Sequence, residues 1–150
     1  MKIIVAQRHY IDLEMIEWEL RHLDPSRAAG AIFTTSPAEV ESAAYNAREP
    51  LFLVTGQMLL TDLLWSVNEM ARRVRIMRGE LKTTILLYTR LPYGEEYIDC
   101  VAMKGRVRHS EIARILAERD LAAMNVLQLK EKYPFLTVTT RGREASRWEK

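Results

Sequence analysis

Cysteine is almost absent from this chain: Cys100 is the single one in 150 residues, so no disulfide can close within it. Cys100 lies in the apolar run CVAM, where the expected role is a small buried hydrophobe, and a reducing cytoplasmic setting suits such a composition. Long hydrophobic runs are missing as well. The opening MKIIVAQRHY is too short in apolar residues for a signal-peptide core, and no run approaches the ~18 residues that span a bilayer, so no membrane association is expected. Charge of one sign is not in large excess. The formal net charge of +2 and a pI near 8.8 fall short of what would by themselves argue for nucleic acid.

The templates of common chemistries are also lacking. There is no G-x-x-x-x-G-K-[ST] phosphate loop, no G-x-G-x-x-G after the first strand, no G-x-S-x-G elbow, and no cysteine pair or H-E-x-x-H for zinc. His9, His22 and His109 fall on different elements. His22 belongs near a helix end, where the dipole favours it, while His9 and His109 can face one rim but lack an obvious acid to orient them. The expectation is therefore no enzyme activity, no cofactor and no bound metal.

What is present is enough apolar material, 48% of residues, to fill the core of one domain. Residues 2–6 (KIIVA) form a β-branched run with both faces apolar, as in a central buried strand. A helix follows over 12–23, with Asp12 placed to cap it. A second strand is expected at 28–35, then a helix opened by Ser36, Pro37 and Glu39 in a capping-box pattern. The third strand is PLFLVT. A helix over about 61–78 ends at Gly79, and strands follow at 83–89 and 99–104, before a helix capped by Ser110. Alternating strands and helices imply a parallel sheet covered on both faces. Residues 121–133 suggest a further helix, FLTVTT a strand or an ordered arm, and 141–150 a mobile tail. The expected division is an α/β unit over 1–120 and a C-terminal extension over 121–150 packed on it.

Ligands of an open parallel sheet meet the carboxyl ends of its strands. Those ends hold Gln7, Arg8 and His9; Thr55, Gly56 and Gln57; Thr89 and Arg90; Lys104, Gly105 and Arg106. In their order and spacing, KIIVAQRH, PLFLVTGQMLL, ILLYT, DCVAMKG and SEIARIL resemble the receiver domain of bacterial response regulators, over roughly residues 2–119. The resemblance implies a flavodoxin-like fold with a five-stranded parallel sheet, a signalling role, Thr89 as the switch hydroxyl and Lys104 as the phosphate-contacting lysine. Its acids are missing. Gln7 and Arg8 stand at the metal-binding positions, and Gly56, or Thr55 one residue earlier, stands at the phosphoacceptor. An arginine at a magnesium position repels the ion, so phosphorylation by the aspartyl route is not expected. The short connection between Thr89 and Asp99 leaves room for only a shortened fourth helix. The resemblance is thus to a degenerate pseudo-receiver.

Three surfaces are candidates for function. The first is a basic rim of Arg8, Gly56, Thr89, Arg90, Lys104 and Arg106 for an anion or a partner, unless Arg8 is paired with Glu95 or Glu96. The second is a protein contact at Met58, Leu59, Leu60 and Trp65, with Trp18 as a further aromatic. The third is Arg72, Arg73, Arg75 and Arg78 as a nucleic-acid face, for which they must be exposed together and free of Glu69 and Glu80; the competing reading is complementation of the helix dipole. The partner expected is a protein, with nucleic acid as the alternative. A homodimer through strand addition of FLTVTT is also open.

Overall fold

The computed structural model describes residues 1–57, 67–90 and 95–148. The central layer is a six-stranded sheet formed by β1 (Lys2–Ala6), β2 (Ile32–Thr34), β3 (Leu51–Thr55), β4 (Thr83–Thr89), β5 (Cys100–Met103) and β6 (Thr137–Val138), in the order β2-β1-β3-β4-β5-β6. The first five are parallel, and β6 runs antiparallel to β5. The order β2-β1-β3-β4-β5 makes the architecture broadly flavodoxin-like.

Alternation along the central strands builds two cores. Ile3 and Val5, Phe52 and Val54, Leu86 and Tyr88 face one side, where α1 (Tyr10–Leu23), α2 (Pro25–Gly30), α5 (His109–Leu116) and α6 (Val126–Lys132) supply Leu13, Ile16, Ala28, Ile112 and Leu129. Ile4, Leu53, Ile85 and Leu87 face the other, against Val40 and Ala44 of α3 (Pro37–Asn46) and Met70 and Val74 of α4 (Val67–Arg78). Among the described residues, no helix is long and apolar enough to cross a membrane.

Several expectations are corrected. The sheet has six strands rather than five, because Thr137 and Val138 pair with Val101 and Cys100 and cover an otherwise open edge. The second strand shrinks to Ile32–Thr34. Asp24 accepts from the Arg27 amide at 3.0 Å, and with Pro25 at the first turn it starts α2 where strand was expected. The helix expected over 121–133 is a 3₁₀ turn, Leu121–Ala123, followed by α6. The break comes from a reciprocal capping box, in which the Asn125 and Gln128 side chains each accept the other's backbone N–H at 2.9 Å. The tail expected to be mobile folds as α7 (Thr140–Trp148). Ser146 Oγ accepts from the Leu127 amide at 3.4 Å and donates to the Gly142 carbonyl at 2.8 Å. Gly142 is required there, since a Cβ would lie 2.1 Å from the Asp99 carbonyl oxygen.

Other local readings meet the structure directly. Ser36 Oγ accepts from the Glu39 amide at 3.3 Å, although the Glu39 carboxylate bonds Thr34 Oγ1 at 3.0 Å rather than closing the box. Gly79, at φ 57°, ends α4. Between β4 and β5 the described residues form only a 3₁₀ turn, Glu95–Tyr97.

Candidate functional site

Parallel strands deliver the amino ends of α1 and α5 to the same sheet edge. Asp12 was expected to cap the first helix, but α1 starts two residues earlier, with His9 in the cap position and making no side-chain cap bond. The Asp12 carboxylate is thereby released from capping. It accepts from Lys104 Nζ at 3.0 Å and His109 Nε2 at 2.8 Å, although 92 and 97 residues separate them.

Each member of this group is held by its own local structure. Lys104 follows β5 and is tied to β4 by its amide, 2.9 Å from the Thr89 carbonyl. Gly105, at φ 94°, reverses the chain so that the Arg106 and Val107 amides both bond the Met103 carbonyl. His109 is the first residue of α5, whose start is held by Glu111 Oε1 accepting from the Arg108 amide at 3.0 Å rather than by Ser110. Beneath them lies Tyr88, 2% exposed. Its hydroxyl donates to the Val107 carbonyl at 2.7 Å, Lys104 Nζ is 5.4 Å from its ring centroid, and His109 meets it edge-on at 6.0 Å. Burial pushes the Tyr88 phenol up to about 12, so it stays neutral and adds no negative charge.

Two clefts open over this group. One of about 210 Å³ is lined by Arg8, His9, Asp12, Gln57, Thr89, Arg90 and Lys104. The other, about 470 Å³, shares Asp12, Arg90 and Lys104 and extends past Met15 to Arg108 and His109. Arg8 and Arg90 are exposed, and among the described residues neither side chain makes an ion pair. Among the described residues the smaller cleft thus holds the cationic side chains of Arg8, Arg90 and Lys104 against the carboxylate of Asp12, which is already shared by Lys104 and His109. Among the described residues no three His, Cys, Asp or Glu side chains group to hold a metal ion.

The remaining rim candidates separate. Arg106 is exposed and lines neither cleft. Gly56 is buried under Gln7, and a Cβ on it would come within 2.7 Å of Gln7 Oε1. The Gln7 amide is fully buried with no hydrogen-bond partner among the described residues. A side chain at 56 and the glutamine at 7 compete for one space, which is a physical account of why position 56 carries no side chain. Glu96 lies at another cleft, with Thr139, Arg141 and Glu144, so it is not the partner of Arg8; the side chain of Glu95 lies outside the described residues. Met58, Leu59, Leu60 and Trp65 also lie outside them.

Of the four arginines of α4, Arg75 and Arg78 turn inward while Arg72 and Arg73 stay at the surface. Arg72 grips Glu69 through two bonds of 3.1 and 2.6 Å, and Arg73 is 3.5 Å from both Glu41 and Glu69. Arg75 reaches Asp99 Oδ2 at 2.5 Å and the Tyr97 carbonyl at 2.9 Å. Arg78, 4% exposed, donates to backbone carbonyls of three segments and to Thr83 Oγ1. The four do not share an exposed face, and two of them pair with Glu69, so the condition set for a nucleic-acid surface is not met.

Sequence reasoning missed Asp12 as a site residue and left His109 without an acid. No local pattern marks the pair, and the only signal was a carboxylate in the first turn of one helix and a histidine at the start of another on the same sheet edge. Burial pushes the Asp12 carboxyl up, but its bonds to His109 and Lys104 outweigh this and hold it below its ordinary 3.8. Its contribution to stability is therefore present above that value and lost as pH falls through the folded-state pKa. Asp12→Asn is expected to cost about 1–2 kcal/mol at neutral pH and to flatten the acid limb of the stability curve. Chemical denaturation across the acid range measures both; an unchanged acid limb would mean that Asp12 does not stabilise the fold.

No protein-family model matches the chain, and no curated protein or solved structure resembles it significantly.

Proposed function

We propose that the protein is a non-catalytic regulatory domain, of pseudo-receiver type, that acts through protein contacts and seats an anionic group at its strand-end cleft. The observation that carries this reading is the pair Arg8 and Arg90, which among the described residues are exposed, lack ion-pair partners and flank a cleft whose one carboxylate, Asp12, is occupied. Charge-assisted bonds to a phosphate or a partner's carboxylate complement such an edge, whereas a divalent cation meets net positive charge there. Asp12 supplies His109 with an orienting acid, so the reading of binding over catalysis rests on the cationic edge and not on that carboxylate.

The test is a titration with inorganic phosphate followed by amide chemical shifts. Shifts should centre on residues 8–12, 89–90 and 104–109 and persist when magnesium is chelated. Arg8→Ala and Arg90→Ala should each weaken phosphate binding by about tenfold. Shifts absent from these segments, or affinity indifferent to both arginines, would remove the anion site. The alternative, a nucleic-acid-associated protein, is left with Arg72 and Arg73, since Arg75 and Arg78 are engaged inside the fold. It would be restored by oligonucleotide binding that weakens steeply with salt and is lost on Arg73→Ala.

A further inference from the structure

Helix α1 buries Leu13, Ile16 and Leu20 against the sheet, yet its opposite side is apolar as well. Ile11, Met15 and Trp18 follow one another at spacings of four and three residues and are 64%, 47% and 58% exposed, which places them in one stripe about 180° from the buried one. His22 continues it. Its Nδ1 bonds the Trp18 carbonyl at 2.8 Å, and its ring centroid lies 4.0 Å from that of Trp18, so the largest side chain of the stripe is held in place. A helix apolar on two sides fits between two packed layers rather than at a solvent boundary.

We infer that a second copy of the chain covers this stripe, α1 against α1, antiparallel about a two-fold axis near Trp18. Charge selects the occupant. Glu14 and Arg21 lie on the same flank of the stripe, two turns apart and opposite in sign, while Glu19 lies on the other flank. In an antiparallel pair like flanks face each other, so Glu14 meets the partner's Arg21 and Arg21 meets the partner's Glu14, two attractive contacts against the single repulsive one between the two Glu19 side chains beside the axis. A parallel pair sets opposite flanks together, with Glu14 against the partner's Glu19, which is repulsive. A foreign helix of one charge sign would leave either Glu14 or Arg21 opposite its own kind. The bond that Arg21 makes within its own helix, 3.4 Å to Glu17, is exposed and easily exchanged.

Sedimentation of the full chain from low-micromolar to near-millimolar concentration tests this. A reversible monomer–dimer equilibrium is expected. Trp18→Glu should weaken it by about a hundredfold, since the anchor is lost twice at the two-fold. Glu14→Arg or Arg21→Glu alone should weaken the dimer by about tenfold, and the double exchange should restore it. Trp18→Cys should form an intermolecular disulfide under mild oxidation, because Cys100 is fully buried and does not compete. Circular dichroism of each variant separates loss of dimer from loss of fold. A chain that stays monomeric throughout, or a dimer indifferent to Trp18→Glu or not restored by the double exchange, would overturn the inference.

Discussion

Replacing Arg78 with alanine is expected to destabilise the fold by about 4 kcal/mol, a large share of the stability of a domain this size. The reason is the set of acceptors it serves. From α4 its guanidinium reaches the Ala44 carbonyl at 3.4 Å and the Ala47 carbonyl at 2.7 Å, at the end of α3, and the Glu49 carbonyl at 2.7 Å in the turn beyond. The Lys82 carbonyl at 3.0 Å and Thr83 Oγ1 at 2.7 Å complete the set before β4. The last carbonyls of a helix have no partners within it, and here one cation supplies them while complementing the dipole. Alanine would leave several buried acceptors without a donor. Lysine should recover less than half of the loss, because an ammonium cannot copy the planar fork that spans three segments. Urea denaturation measures this through the shift in midpoint at unchanged m-value. A loss below about 1 kcal/mol for Arg78→Ala would show that water replaces the guanidinium and that it is not a structural cap.

Arg75→Ala should be comparably severe, at about 3–5 kcal/mol near neutral pH, but with a pH dependence that Arg78→Ala lacks. Asp99 sits at the start of β5, 2% exposed, and accepts from the Ile85 amide at 2.7 Å as well as from Arg75. Its own carbonyl receives the Thr139 amide at 3.0 Å, so the residue joins β4, β5, α4 and the C-terminal extension. Burial opposes both charges. It pushes the Asp99 carboxyl up, with Arg75 offsetting part of the rise, and it pushes the Arg75 guanidinium down. Without Arg75 the carboxylate is a buried charge facing no cation at contact distance, and its pKa rises further. A carboxyl raised in the folded state favours folding while protonated, fully so below its unfolded value, and that advantage is lost as pH rises through the folded pKa. The Arg75→Ala penalty should therefore shrink as pH is lowered from neutral toward the unfolded carboxylate range. A penalty constant over that range would mean that the loss comes from packing rather than from stranded charge.

These arginines also mark where local reading stops. The helix expected over about 61–78 was readable from its apolar spacing and from Gly79 where it is described, over Val67–Arg78, while 61–66 lie outside the described residues. Whether Arg75 and Arg78 faced solvent depended on a carboxylate 24 residues onward and on carbonyls some thirty residues back. Identical side chains two and three positions before Arg75, Arg73 and Arg72, remain at the surface with Glu69. In the same way, sequence periodicity could not tell that 140–148 is helical. The anchors of α7 are the Leu127 amide of α6 and the close seat of Gly142 on the Asp99 carbonyl beside β5, contacts that only the tertiary fold brings together.

The strands KIIVA, LFLVT and TTILLYT, the alternation that sends their residues to two cores, the starts at Ser36 and Pro37 and, apart from α2, the order of the described elements as far as α5 were legible, because propensity, period and capping act over a few residues. The absence of acids at Gln7, Arg8 and Gly56 was equally plain, and with it the basic character of the strand ends. The partnership of Asp12 with Lys104 and His109 was not legible. It arises because parallel strands bring the first turns of α1 and α5 to one edge, and an ion pair closed across more than ninety residues obeys the sheet topology rather than any neighbouring sequence.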